Sequence, residues 1–164
     1  MRSENSFGIK GVHHIAMVVP CLERAQKFYV DTLGLELVDK NHFGPSESSD
    51  AMTELVGAEC EMIMLKASNL FIEIFEFRSP QVDDSGERLL CEHDFTHLAL
   101  EVQDVHLAWN ELGEAGVRWH QPPQEMSTGY LMCYGRDPFG NVLEIQQVAE
   151  TSEVAFSRIS NDPS

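Results

Sequence analysis

The feature that most constrains this chain is that its pattern occurs twice. "HIAMVV" at 14–19 is echoed by "HLALEV" at 97–102, and "FIEI" at 71–74 by "VLEI" at 142–145. After the first member of each echo comes a segment with helical spacing. Leu22, Ala25, Phe28/Tyr29 and Leu33 recur along 22–34 before Gly34. Val105, Ala108/Trp109, Leu112 and Ala115 recur before Gly116, with Asp104 placed to cap the start. A repeat of this length is one supersecondary unit used twice, whose neighbours bury what neither buries alone.

The remaining runs complete each half. In the first, strands are expected over 12–20, in "LELVDK", in "CEMIMLKA" and in "NLFIEIFEF", with a turn at Ala67-Ser68-Asn69 and a loop over 43–53. In the second they are expected over 95–102, in "VRWH", in "GYLMCYGR" and in "NVLEIQQVA", the last two joined by the "DPFG" turn. Both halves read β-α-β-β-β. The expected organisation is a flexible start (1–8) and one domain over 9–149, followed by a loosely packed tail over 150–164. Within the domain, module one is 9–78, an acidic turn-rich linker is 79–94 and module two is 95–149. The fold class is α+β.

Period-two alternation then places chemistry. Glu73 shares a strand face with Phe71, Phe75 and Phe77, and no Lys or Arg lies within its strand. An unpaired carboxylate there is costly to bury. His14 shares a face with Ala16 and Val18, His97 with Phe95 and Ala99, and Glu144 with Val142 and Gln146. Each half thus offers one His and one Glu. Singly, a strand His reads as a hydrogen-bonded core residue and a strand Glu as solvated. Together, two imidazoles and two carboxylates suit a divalent transition metal such as Zn²⁺, Ni²⁺, Co²⁺, Mn²⁺ or Fe²⁺.

Charge narrows the partners. With 27 acidic against 11 basic residues, the formal net charge is -16, which repels phosphate backbones and anionic lipid. Nucleic acid and membrane are therefore not expected as partners. No apolar run is long enough to span a bilayer and "MRSENSFGIK" lacks a signal core, so a cytoplasmic protein is expected. Cys21, Cys60, Cys91 and Cys133 form no C-x-x-C and read as reduced thiols.

The segments "HHIAMVVPCLERAQKFYVDTLGLELV", "THLALEV" and "GRDPFGNVLEIQQ" resemble the vicinal-oxygen-chelate superfamily. It comprises glyoxalase I, methylmalonyl-CoA epimerase, fosfomycin and bleomycin resistance proteins and extradiol dioxygenases. The resemblance spans about residues 9–149. It implies paired βαβββ modules forming a cupped mixed β-sheet around one divalent metal ion, with His14, Glu73, His97 and Glu144 as ligands. A Glu at position 73 is the glyoxalase I-like pattern.

The activity implied is proton transfer next to a carbonyl, with Glu144 the first choice of base and Glu73 the second. Relatives that recognise glutathione commonly carry an Arg where this chain has Val18 and an Asn where it has Phe77. A small, non-glutathione substrate is therefore expected, in a pocket that includes Phe71, Phe75, Phe77, Tyr130 and Met132. The resemblance also implies a homodimer. Two other functions stay open: a single-domain dioxygenase, and a metal-free binding or resistance protein. His13, His42, His93, His106 and His120 are not expected to be ligands. Arg136 is expected to stabilise the following turn.

Overall fold

The computed structural model describes residues 11–82, 86–87, 89–91, 95–126 and 130–159. His93 and much of the expected linker, like the flexible start over 1–8, lie outside them. The chain divides into two compact units. The first comprises residues up to 22 and 35–80; the second comprises 23–34 and the chain from 81 onward.

In the first unit, β1 (His14–Val18), β2 (Glu36–Phe43), β3 (Glu59–Lys66) and β4 (Phe71–Ser79) form one sheet in the order β1-β4-β3-β2. β1 runs parallel to β4, and the other pairings are antiparallel. Alternation decides the faces. Ile63, Leu65, Ile72 and Ile74 are buried on one side of the sheet. On the other, β1 carries His14, Ala16 and Val18, and β4 carries Phe71, Glu73, Phe75 and Phe77.

The second unit repeats this plan. β5 (Leu98–Glu101), β6 (Arg118–Trp119), β8 (Tyr130–Arg136) and β9 (Val142–Gln147) run in the order β5-β9-β8-β6, and β7 (Gln124–Met126) pairs with β8. β5 is parallel to β9, as β1 is to β4. Between β5 and β6 runs α3 (Val105–Glu114). The Asp104 carboxylate accepts from the backbone N–H groups of His106 and Leu107, the cap its sequence promised. Val105, Leu112, Leu143 and Ile145 are buried in this unit.

Three elements depart from the sequence expectation. The helix expected over 22–34 is α-helical only at α1 (Leu22–Gln26) and widens to a π-turn over Lys27–Thr32. The Leu33 N–H reaches the Phe28 carbonyl, and Gly34 at φ +74° turns the chain out. The segment expected as a loop over 43–53 contains a short helix, α2 (Glu47–Thr53). Ser46 caps it by accepting from the Ser49 N–H, and none of its residues is buried. β7 had no signal of its own: it is three exposed residues held by the edge of β8.

Residues 23–34 belong to the second unit, although they lie between strands of the first. Tyr29 supplies the reason. Its phenol donates to the buried Asp137 carboxylate, and its ring stacks on Phe139. Asp137 also accepts from the backbone N–H groups of Phe139 and Asn141 and from the Asn141 amide. These bonds fix the turn between β8 and β9. Arg136 donates to the Gly140 carbonyl and pairs with Glu87, so it braces the same turn.

The tail also makes specific contacts. Ala155 is fully buried, the Phe156 N–H donates to Glu101, and Ser152 meets the Tyr130 hydroxyl at 2.9 Å.

Candidate metal centre

Parallel pairing of first and last strands places the histidine of each repeat beside its glutamate. In the first unit Ala16 is the register partner of Glu73, and His14 lies two residues earlier. In the second Ala99 is the partner of Glu144, and His97 lies two residues earlier. The offset is the same in both. Each carboxylate therefore has a small alanine side chain beside it.

The resulting contacts are His14 Nε2 to Glu73 Oε2 at 3.6 Å and His97 Nε2 to Glu144 Oε2 at 3.0 Å. Within either unit no third His, Cys, Asp or Glu joins the pair in a metal-binding group among the described residues. His42, His106 and His120 are exposed and lie outside both pairs.

Both imidazoles are held through the other ring nitrogen by the side chain just before them. His14 Nδ1 lies 2.9 Å from His13 Nδ1, and His97 Nδ1 lies 2.7 Å from the Thr96 hydroxyl. If Nδ1–H donates to that neighbour, Nε2 is left as a lone-pair donor aimed toward a carboxylate. Two anionic or lone-pair donors face to face repel unless a cation lies with them. Donors about 2.1 Å from a shared ion and at right angles to each other stand about 3 Å apart. The donor chemistry and spacing of both pairs fit a divalent cation.

Thr96 and the role of His13 escaped the sequence reading. The signal was available: carried one residue back, the repeat sets a hydrogen-bonding side chain before each histidine.

The surroundings differ between the units. In the second, Tyr134 on β8 is the register partner of Glu144. Its ring meets His97 edge-on, with centroids 5.3 Å apart. Burial, then the neighbouring Glu144 carboxylate, push the phenol up to about 12. Cys133, on the opposite face of β8, is pushed up to about 11 by burial and by the Glu144 charge. In the first unit the register partner of Glu73 on β3 is Met64. Val18 is exposed on the His14 face, and Phe75 and Phe77 lie together with centroids 5.9 Å apart. Tyr130 and Met132 share the Glu144-side face of β8 with Tyr134.

Two units, each with its first strand parallel to its last and a His–Glu pair across that seam, define a duplicated fold. The chain belongs to the Glyoxalase/Bleomycin resistance protein/Dioxygenase superfamily, whose family model matches residues 11–145.

Among characterised relatives, it is 29% identical over 150 residues to a 2-epi-5-epi-valiolone epimerase from Actinomyces sp, covering 84% of this chain and 79% of the relative. A glyoxalase family protein from Bacillus cereus superposes with a TM-score of 0.77 at 19% identity, covering 90% of this chain and 98% of that one. A fosfomycin resistance protein from Listeria monocytogenes, solved with Mn(II) and sulfate, superposes with a TM-score of 0.56 at 17% identity, covering 87% and 95%. Among the described residues no helix is long and apolar enough to cross a membrane.

Proposed function

We propose that this protein is a divalent-metal-dependent, glyoxalase-like lyase or isomerase. It moves a proton at a carbon next to a carbonyl, on a small substrate without a glutathione moiety. The observation that carries the reading is the duplicated pair: a His and a Glu in the same register in both units, each imidazole tied at Nδ1 so that Nε2 is presented to the carboxylate. His14, Glu73, His97 and Glu144 are assigned to one ion.

That ion, when bound, supplies Lewis acidity to a substrate oxygen. The residues do the rest. One carboxylate, Glu144 or Glu73, takes the proton from carbon. The C–H electron pair becomes the new carbon–carbon double bond as the carbonyl pair moves onto oxygen. The carboxylic acid so formed gives its proton to the former carbonyl carbon, and the new carbonyl forms at the carbon that lost its hydrogen as that carbon's hydroxyl proton passes to the neighbouring alkoxide oxygen. Val18, Phe71, Phe75 and Phe77, with Tyr130 and Met132, surround the substrate with largely apolar surface. They offer no cation to a glutathione carboxylate. The epimerase among the relatives is named for inverting a centre in a ketone, which supports proton movement beside a carbonyl as the reaction class. The protein is taken to act as a homodimer, which sedimentation tests.

The decisive experiment strips the protein of metal, titrates Mn²⁺ or Ni²⁺ by calorimetry, and follows exchange of carbonyl-adjacent protons in D₂O over a panel of small cyclic and acyclic hydroxy ketones. Saturable metal binding and metal-dependent exchange are expected, with weaker turnover of the glutathione adduct of methylglyoxal. A protein that binds no divalent ion, or that consumes oxygen in place of exchanging protons, overturns the proposal.

A further inference from the structure

The repeat changes character two residues past each alanine. In β1 that position is Val18, which is 57% exposed; in β5 it is Glu101. Glu101 lies on the same face of the second unit's sheet as Ala99 and Glu144, in a row with Gln146 and Met132. Both of its carboxylate oxygens accept from the Phe156 N–H, at 3.2 and 3.1 Å. On β8, the Tyr130 hydroxyl of that face meets the Ser152 hydroxyl at 2.9 Å. The segment 150–159 is therefore tied to β5 and to β8, with β9 between them. The opposite face belongs to α3, whose Val105 N–H donates to the Gln147 side chain.

The segment is built to hold this course. Ser152, Ala155, Arg158 and Ile159 each donate a backbone N–H to the carbonyl three residues earlier. The Ser157 hydroxyl donates to Glu150, and Ala155 is fully buried. Along β5, Ala99 beside Glu144 and the anchor at Glu101 are two residues apart, roughly 7 Å. In this direction a substrate held at Glu144 meets the segment after about that distance, which leaves room for a compact hydroxy ketone and none for an extended adduct.

We propose that residues 150–159 form a wall across the Glu144 face of the second unit, that Glu101 is the positioning residue that holds the wall there, and that the wall restricts the substrate to compact molecules. This rests on the reading above and adds to it a steric limit that lies wholly within the second unit. The first unit has no such anchor, because the repeat places Val18 where Glu101 stands in the second.

The test uses the full chain as wild type, Glu101→Ala, Glu101→Gln and Ser152→Ala. Amide hydrogen exchange is measured first, without metal. Protection of the Phe156 N–H should fall at least about 10-fold in Glu101→Ala, the effect of losing a charged acceptor. It should largely survive in Glu101→Gln, whose amide oxygen still accepts. The proteins are then loaded with Mn²⁺, and straight-chain alkyl hydroxamates, which offer two oxygens to an ion, are titrated by calorimetry. The ratio of decanohydroxamate to acetohydroxamate affinity should rise about 10-fold in Glu101→Ala, the effect of burying about two more methylenes. It should rise by a smaller factor in Ser152→Ala and stay at the wild-type value in Glu101→Gln, with acetohydroxamate affinity unchanged throughout. Affinity lost equally at every chain length, an unchanged ratio, or unchanged Phe156 protection in Glu101→Ala overturns the proposal. If Glu101→Ala does not fold, the ratio in Ser152→Ala decides. If the wild type binds Mn²⁺ and hydroxamates but exchanges no proton from any hydroxy ketone, the functional reading fails and the wall stands. If it binds no Mn²⁺, that reading fails too, and the wall is decided by Phe156 exchange together with Nile red, which should bind Glu101→Ala more tightly than wild type; no such gain overturns it.

Discussion

Replacing Tyr29 with Phe removes one oxygen from the interior of the second unit. The ring and its stacking on Phe139 stay. What disappears is the phenol's bond to Asp137, with both residues 2% exposed. A hydrogen bond to a charged acceptor contributes about 1.5–3 kcal/mol. The lower half of that range applies, because Asp137 keeps the Phe139 N–H, the Asn141 N–H and the Asn141 amide and is not left bare. The space vacated by one oxygen is too small for a replacement water. The expected loss is about 2 kcal/mol. With a urea dependence of roughly 2 kcal/mol per molar, the midpoint falls by about 1 M. Equilibrium urea unfolding followed by circular dichroism measures it. The direction of the phenol's acidity agrees: burial first, then the Asp137 charge, hold Tyr29 protonated far above its ordinary range. A midpoint lowered by less than about 0.25 M would refute the claim that this bond secures residues 23–34 to the β8–β9 turn.

Other outcomes follow from the same structure. Ile74→Ala empties a fully buried position in β4 and should destabilise by about 3 kcal/mol, read as a lower urea midpoint. Gly135→Ala would set a new Cβ 2.5 Å from the Trp119 ring and 3.0 Å from the Arg118 carbonyl, and should cost about 1–3 kcal/mol with loss of β6–β8 amide protection in hydrogen exchange. Tyr134 should titrate late in the metal-free protein. Its raised pKa means that folding favours the neutral phenol, a contribution complete below about pH 10 and lost as pH rises through about 12. The stability advantage of wild type over Tyr134→Phe should therefore shrink across that window, and absorbance at 295 nm should show a late step that the variant lacks.

Much of this architecture was legible because periodicity reports burial. The strand carrying Ile72 and Ile74 alternates at its start, and α3 shows its apolar stripe and its cap. The duplicated His and Glu pointed to a paired arrangement, and parallel pairing of first and last strands gives each unit its pair. α2 was illegible because it buries none of its residues; only the Ser46 cap marks it. The amphipathic pattern of 22–34 says that one face is covered but not by what, so its membership of the second unit could not be read. The placement of Tyr134 beside Glu144 depends on β8–β9 register, which the Asp137 turn sets and no local pattern encodes.

The bond between Tyr29 and Asp137 also has a consequence in time. Its partners are 108 residues apart. At ribosomal speeds of roughly 5–20 residues per second, residues 23–34 emerge roughly 5–20 s before the turn that receives them. For that interval Ala25, Phe28 and Tyr29, all buried in the finished structure, have no Asp137 turn to pack on. A nascent chain stalled before residue 137 should hold this helix in protease-sensitive form, and one stalled well after 147 should protect it.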